Sequence, residues 1–281
     1  MVGTASGALQ LAVAATAPFG ADVLERLAAE HEIAFLLTRP DRPRGRGRRV
    51  GAPPAKETAL RLGIPVRQPE RLDESVSLEG ADTVVVAAYG ALIPETMLER
   101  ASWLNVHPSL LPRWRGAAPV ERAIMADDRE TGVTIHRTTP ELDAGPIAAQ
   151  RAFQIEPEDD AGAVYEKAGA VAAELLEEVL SGEPEFRPQP EGGVTYAERL
   201  TVEDRELDWS RPPEELLNRI RALSPHIGAR GVVDGRRLTV WRAKPAGPDA
   251  ALTAGGLELL EVQPEGRRRM SGGEYLRGVR A

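Results

Sequence analysis

The 281-residue chain has no cysteine, and that absence removes a whole range of chemistry. It excludes a disulfide framework, Cys-ligated zinc, an iron–sulfur cluster, c-type haem attachment and a thiol nucleophile. Histidine is scarce as well, with four residues, so no dedicated metal site is expected. Long apolar runs are missing: Pro, Gly or charge interrupts each of them before the ~20 residues that cross a bilayer. Residues 1–6 carry no basic stretch leading into an apolar one, which argues against a signal peptide and for a cytoplasmic protein. Phosphate cradles are absent too. The turn Ala14-Ala15-Thr16-Ala17-Pro18-Phe19-Gly20 lacks the G-x-G-x-x-G fingerprint, and no G-x-x-x-x-G-K-[ST] occurs anywhere, which argues against a bound dinucleotide and against P-loop hydrolysis.

What is present is an ordinary globular composition, 42% hydrophobic and 28% charged, with a net charge of −8. Domains usually take about 100–200 residues, so this length suits one large domain or two unequal ones. The acidity is uneven. From Glu206 to Ala281, 13 Lys and Arg oppose 10 Asp and Glu, a local +3 that leaves −11 on the first 205 residues. Within that acidic part, residues 39–49 hold six arginines, two prolines and two glycines. The prolines and glycines disfavour helix and strand, so an irregular basic surface loop is expected.

The first 155 residues alternate short apolar runs with amphipathic stretches, the rhythm of βαβ units around a mostly parallel sheet. Strands are expected at 9–15, 33–38, 83–88, 103–106, 132–137 and 148–155, and helices at 20–30, 55–62, 94–100 and 119–126. Proline at 53, 54 and 119 suits helix starts, where a missing N–H does little harm. A long Ala- and Glu-rich helix is expected over 160–180. Residues 181–193 are rich in Pro and Gly and lack periodicity, which marks a linker. Beyond it come a helix at 213–222 and β-like stretches at 229–233, 237–241, 257–262 and 275–280, the pattern of a small barrel.

The chemically informative stretch is Asn105-Val106-His107-Pro108-Ser109-Leu110-Leu111-Pro112-Arg113-Trp114-Arg115-Gly116. Asn105 and His107 are two apart at a strand end and so face one side, at the sheet edge where open α/β folds bind ligands. An amide N–H and a titratable imidazole suit acyl transfer, one stabilising an oxyanion while the other handles protons. Leu110-Leu111-Pro112 supplies an apolar, restricted wall. Downstream, Asp143-Ala144-Gly145 puts a carboxylate on a turn from which it can orient His107. Alone, an Asn-x-His is more often a structural pair and an Asp-Ala-Gly more often a plain turn; the combination is far more specific. His31, His136 and His226 have no evident partners in the sequence and read as structural or surface residues.

With Asp143, the run 105–116 resembles the folate-dependent formyltransferases. The likeness extends to Thr38-Arg39-Pro40-Asp41-Arg42-Pro43, Val86-Ala87-Ala88-Tyr89-Gly90, Gly116-Ala117-Ala118-Pro119, Glu130-Thr131-Gly132-Val133-Thr134, Val194-Thr195-Tyr196-Ala197 and residues 259–266, nearly the whole chain. The resemblance implies a Rossmann-like catalytic domain over 1–188, a linker over 189–205 and an OB-like β-barrel that binds tRNA over 206–281. It implies 10-formyltetrahydrofolate as donor and, through the arginine segment and the C-terminal module, the α-amino group of methionine on initiator tRNA as acceptor. Asn105, His107 and Asp143 would then be catalytic, with Asn105 and His107 at the oxyanion. Ser109, Leu110, Leu111 and Pro112 would line the folate site. Arg42, Arg44, Arg46, Arg48 and Arg49 would contact RNA phosphates and bases, with Arg42 foremost, and Arg267-Arg268-Arg269 would extend the basic track. A monomer with no metal and no membrane attachment is expected. Where many relatives carry Gly-Thr-Pro after the first strand, this chain has Ala15-Thr16-Ala17-Pro18. The alternatives are transfer to an amino sugar nucleotide, hydrolysis of the same folate, and a non-catalytic tRNA-binding protein; the first has no need of a polyarginine segment.

Overall fold

The computed structural model describes residues 10–44 and 49–280. The expectations placed on residues 1–9, including the start of the first strand, lie outside them. So do those placed on Arg46 and Arg48. The chain divides into two compact units. One takes in the chain up to Arg115, Gly132–Ala152 and Lys167–Thr195; the other takes in Gly116–Thr131, Phe153–Glu166 and everything from Tyr196.

In chain order the elements are β1 (Leu11–Ala15), α1 (Pro18–Glu30), β2 (Ile33–Leu37), β3 (Arg42–Arg44), β4 (Arg49–Gly51), α2 (Pro54–Leu62), β5 (Val66–Arg67), β6 (Thr83–Ala87), α3 (Glu95–Leu98), β7 (Ser102–His107), β8 (Arg115–Gly116) and α4 (Pro119–Met125). There follow β9 (Glu130–Arg137), β10 (Ile147–Gln154), α5 (Ala161–Leu180), β11 (Tyr196–Ala197), α6 (Pro213–Leu223), β12 (Ala229–Val233), β13 (Arg236–Pro245), β14 (Thr253–Ala254), β15 (Leu257–Pro264), β16 (Met270–Ser271) and α7 (Gly272–Arg280).

The first unit is built on a seven-stranded sheet in the order β10-β9-β7-β6-β1-β2-β5. β1 pairs in parallel with β2 and β6, β2 with β5, and β6 with β7, whereas β9 runs antiparallel to β7. This is the mostly parallel, Rossmann-like sheet expected. β1 and β6 are buried along their whole length, which is why they read as continuous apolar runs. The strand order reverses between β1 and β6, and Thr16 ties the strand ends there. Its hydroxyl donates to Tyr89 O at 2.8 Å and meets Thr38 Oγ1 at 3.4 Å, while Arg39 N donates to it at 3.4 Å. The turn Ala15-Thr16-Ala17-Pro18 thus clips three strand ends together.

The second unit contains a five-stranded antiparallel sheet ordered β12-β13-β15-β14, with β16 on β15. It forms the half-barrel version of the small β domain expected. Leu216, Ile220 and Leu223 of α6 join Val240, Leu257, Leu259 and Val262 in its core.

Two sequence expectations are corrected. Residues 275–280 form helix, not strand: the Ser271 hydroxyl accepts from Glu274 N at 3.2 Å and the Glu274 carboxylate accepts from Ser271 N at 2.8 Å. That reciprocal capping box starts α7 and outweighs the β-like composition. The arginine segment is flanked by strands, with β3 and β4 pairing antiparallel as Arg42↔Gly51, Pro43↔Val50 and Arg44↔Arg49. Pro43 is tolerated because a two-stranded ribbon leaves an edge that needs no donor.

Candidate active site

Register brings the site together. On β7, Asn105 and His107 share one face, and across the antiparallel pairing they stand opposite His136 and Thr134 of β9. Directly opposed residues of paired strands project to the same side, so all four side chains belong to one face. Thr134 is fully buried and organises the loop beyond β7. Its hydroxyl donates to Ser109 O at 2.7 Å and accepts from Leu111 N at 3.1 Å and from Gln150 Nε2 at 2.7 Å. Of the four residues expected to line a folate site, Ser109 and Leu111 are buried, and Ser109 Oγ donates to Arg113 O at 2.7 Å. Leu110 and Pro112 are half-buried and present apolar surface. Leu110 lies so near Gly132 that a Cβ there would collide with its Cδ2.

His107 is nearly buried. Its Nε2 lies 2.8 Å from Trp114 O and therefore carries the hydrogen, because a carbonyl oxygen only accepts. Trp114 has φ +63°, an uncommon conformation for a bulky residue, and it turns that carbonyl toward the imidazole. The other nitrogen, Nδ1, faces Asp143 Oδ2 at 3.7 Å.

Asp143 sits at φ +46° on the turn between β9 and β10. Asn105 Nδ2 donates to its Oδ1 at 3.1 Å, and His136 Nε2 lies 3.8 Å from the same oxygen. Two devices hold the turn in place. Gly145 packs where a Cβ would collide with Arg137 O. Gln189 donates from Nε2 to Asp143 O at 2.8 Å and to Gly145 O at 2.9 Å, while its Oε1 accepts from Arg115 Nη2 at 2.7 Å. Gln189 lies in the segment the sequence reads as aperiodic, and no local signal marks its role.

The trio expected from the sequence, Asn105, His107 and Asp143, is thus brought into one cluster. His136 is a fourth member that sequence reasoning assigned to structure or surface. It is 1% exposed, and Asn105 Nδ2 approaches its Nε2 at 3.1 Å. Burial first, and then the charge of His107, push its pKa down to about 4, with Asp143 opposing. Knowledge of the β7–β9 register would have found it. His31, also read as unpartnered, meets Glu177 at 2.8 Å.

The arginine ribbon is anchored at its base. Asp41 accepts from Lys56 Nζ and from Gln68 Nε2, each at 2.8 Å, and Gln68 also donates to Arg39 O. Arg42 is exposed at the start of β3, and the Cα positions of Arg44 and Arg49 are partners in the β3–β4 register. Within the C-terminal arginine cluster, Arg269 stacks 3.3 Å over the Trp241 ring and donates to Pro225 O. Among the described residues no group of three His, Cys, Asp or Glu side chains is placed to hold a metal ion, and no helix is long and apolar enough to cross a membrane.

A polar cluster at the carboxyl end of a parallel strand, set beside an apolar wall, is suited to acyl-group transfer. Comparison with known proteins gives the same class. The profile of the formyl transferase family matches residues 9–180, and that of the formyl transferase C-terminal domain matches residues 199–256. A methionyl-tRNA formyltransferase of Methylococcus capsulatus is 38% identical over 297 aligned residues, which span 95% of this chain and 96% of that protein. Among solved structures, methionyl-tRNA formyltransferase from Clostridium thermocellum superposes with a TM-score of 0.62 at 16% identity, over 91% of this chain and 98% of that one. HypX from Aquifex aeolicus in complex with tetrahydrofolic acid gives 0.67 at 17% identity, over 96% of this chain and 47% of the other; at such identities both likenesses concern the fold alone. With a family profile over more than half its length and a full-length relative above 30% identity, the chain belongs to the formyl transferase family.

Proposed function

We propose that the chain transfers the formyl group of 10-formyltetrahydrofolate to the α-amino group of methionine esterified to initiator tRNA. The observation that carries this reading is the convergence of Asn105, His107 and Asp143 at the end of β7; the anchored arginine ribbon and the full-length likeness to proteins named for this reaction support the choice of acceptor. Leu110 and Pro112 offer half-buried apolar surface beside polar groups, which fits a flat pterin with polar edges. Folate holding is assigned to the segment Ser109, Leu110, Leu111 and Pro112, with Ser109 and Leu111 acting through the main chain. The donor supplies an activated N-formyl carbon.

His107, with hydrogen on both ring nitrogens, gives its Nε2–H to Trp114 O and donates from Nδ1 to the formyl oxygen as negative charge develops there, and the Asp143 carboxylate balances the positive charge of the imidazolium. The amine nitrogen bonds to the formyl carbon and the carbon–N10 bond breaks. One proton leaves the amine, and one arrives at N10. Asp143 relays it through water. Arg42, with Arg44, Arg46, Arg48 and Arg49, meets the phosphates and bases of the acceptor end. In this reading residues 1–188 are the catalytic part, 189–205 the linker and 206–281 the tRNA-binding part, and the enzyme is a cytoplasmic monomer. The test is formyl transfer to methionylated initiator tRNA, set against uncharged tRNA, elongator tRNA and amino sugar nucleotides. Transfer to the methionylated initiator is expected; transfer only to a sugar overturns the assignment.

A further inference from the structure

β9 sets two residues against the loop that leaves β7. Gly132 makes room for the Leu110 side chain, with which a Cβ would collide. Thr134, opposite His107 in the strand register, is fully buried, and its hydroxyl has one hydrogen to give and two lone pairs to fill. The hydrogen goes to Ser109 O at 2.7 Å, and the lone pairs accept from Leu111 N at 3.1 Å and from Gln150 Nε2 at 2.7 Å. Gln150 Nε2 spends its other hydrogen on Leu111 O at 3.0 Å. Ser109 N donates in turn to His107 O at 2.9 Å. The amide and the carbonyl of both Ser109 and Leu111 are therefore engaged within the protein. Burial alternates along the same stretch: Ser109 and Leu111 are buried, Leu110 and Pro112 half-buried. Pinning the main chain thus decides which two side chains remain as surface.

We propose that Thr134 and Gln150 are positioning residues for the formyl donor: the Thr134 hydroxyl, braced by Gln150, sets the Ser109–Leu111 main chain before the donor arrives, so that the wall of Leu110 and Pro112 is preformed. The inference rests on the assignment of that segment to folate and deepens it. A wall already in its bound shape spares the cost of ordering a loop on binding, and the energy spared appears as affinity. No bond forms or breaks at either residue. A bound donor itself holds the wall in place, so at saturation the chemistry at Asn105, His107 and Asp143 proceeds unaltered. The effect falls on donor binding and not on turnover.

Valine nearly matches threonine in volume and lacks the hydroxyl, whereas serine keeps the hydroxyl and lacks the methyl group, so the two replacements separate hydrogen bonding from packing. Tetrahydrofolate titrated calorimetrically into the intact chain should bind about tenfold more weakly to Thr134→Val, the scale of one lost hydrogen bond, and nearly as tightly to Thr134→Ser as to the wild type. Gln150→Leu, at an exposed position where folding is not at stake, should bind about threefold more weakly, since the hydroxyl keeps its other two partners. Formyl transfer at saturating donor should hold kcat within about twofold in all of these variants. Amide hydrogen exchange supplies a readout without folate: the Leu111 N–H should lose protection in Thr134→Val and keep it in Thr134→Ser. Unchanged protection of Leu111 in Thr134→Val overturns the proposal whether or not the chain transfers formyl groups, so its failure is distinct from failure of the assigned reaction. Full binding in Thr134→Val with weak binding in Thr134→Ser would reduce the side chain to its volume, and a lowered kcat with donor affinity unchanged would move Thr134 into the chemistry; either result overturns the proposal.

Discussion

Four side chains, Asn105, His107, His136 and Asp143, form the cluster, and the buried imidazole makes it sensitive to acid. His136 has a pKa near 4 in the folded state and about 6.5 in an unfolded chain, so between those values the unfolded state binds more protons. Its contribution to stability is complete above about pH 6.5, is lost as pH falls through that window, and has no more to lose below 4. The scale is on the order of 3 kcal/mol. Urea unfolding at pH 7 and pH 4.5 should accordingly show a smaller acid loss in His136→Leu than in the wild type; identical losses would remove the buried neutral histidine. Asn105→Ala should lower single-turnover transfer by ~10²–10³ with folate binding retained, the range for a polar group acting on the transition state, and an unchanged rate would exclude Asn105 from the chemistry. Asn105, His107 and Asp143 were legible because they belong to one compact motif. His136 was not, since its partner is 31 residues away and only the β7–β9 register makes them neighbours.

Among the elements, those with strong local signals were the ones readable from sequence. β1, β2, β6 and β7 were apparent as short apolar runs, and α2, α4 and α6 each begin on a proline. α7 differs from the β-like stretch expected at 275–280 although Ser271-Gly272-Gly273-Glu274 spells its cap, because a four-residue capping signal decides the start of a helix whose own composition is β-like. Ser271→Ala should cost about 1 kcal/mol in equilibrium unfolding, and no change would show that the cap is dispensable. The stretch after α5 hides more. Gln189 reaches the Asp143 turn through two carbonyls and Arg115, a tertiary role that aperiodic sequence cannot announce. Gln189→Ala should loosen that turn and lower kcat while leaving donor affinity intact; a change in affinity with kcat preserved would place Gln189 at the donor instead.

At the scale of the whole molecule, a net charge of −8 conceals a basic ribbon mounted on an acidic body. Phosphate contacts release counterions, so each one adds about 0.7–0.9 to the slope of log affinity against log salt. Arg42→Leu should weaken the tRNA-dependent reaction and flatten that slope by about one contact, with folate binding unaltered. An unchanged slope across a salt titration would remove Arg42 from the RNA interface. Composition could give the number of arginines but not their presentation, because the pairing of β3 with β4 joins residues on either side of the segment.

The hold on His107 has a consequence for how this site tolerates change. The imidazole is gripped at Nε2 by the carbonyl of Trp114, a main-chain oxygen that every amino acid supplies. Substitutions in the surrounding side chains can therefore accumulate without loosening that grip, and the orientation of the ring is inherited through the path of the backbone. The vulnerable position is residue 114 itself, where φ is +63°: a β-branched replacement such as Trp114→Val, poorly suited to that conformation, would swing the carbonyl away and disable His107 without touching it.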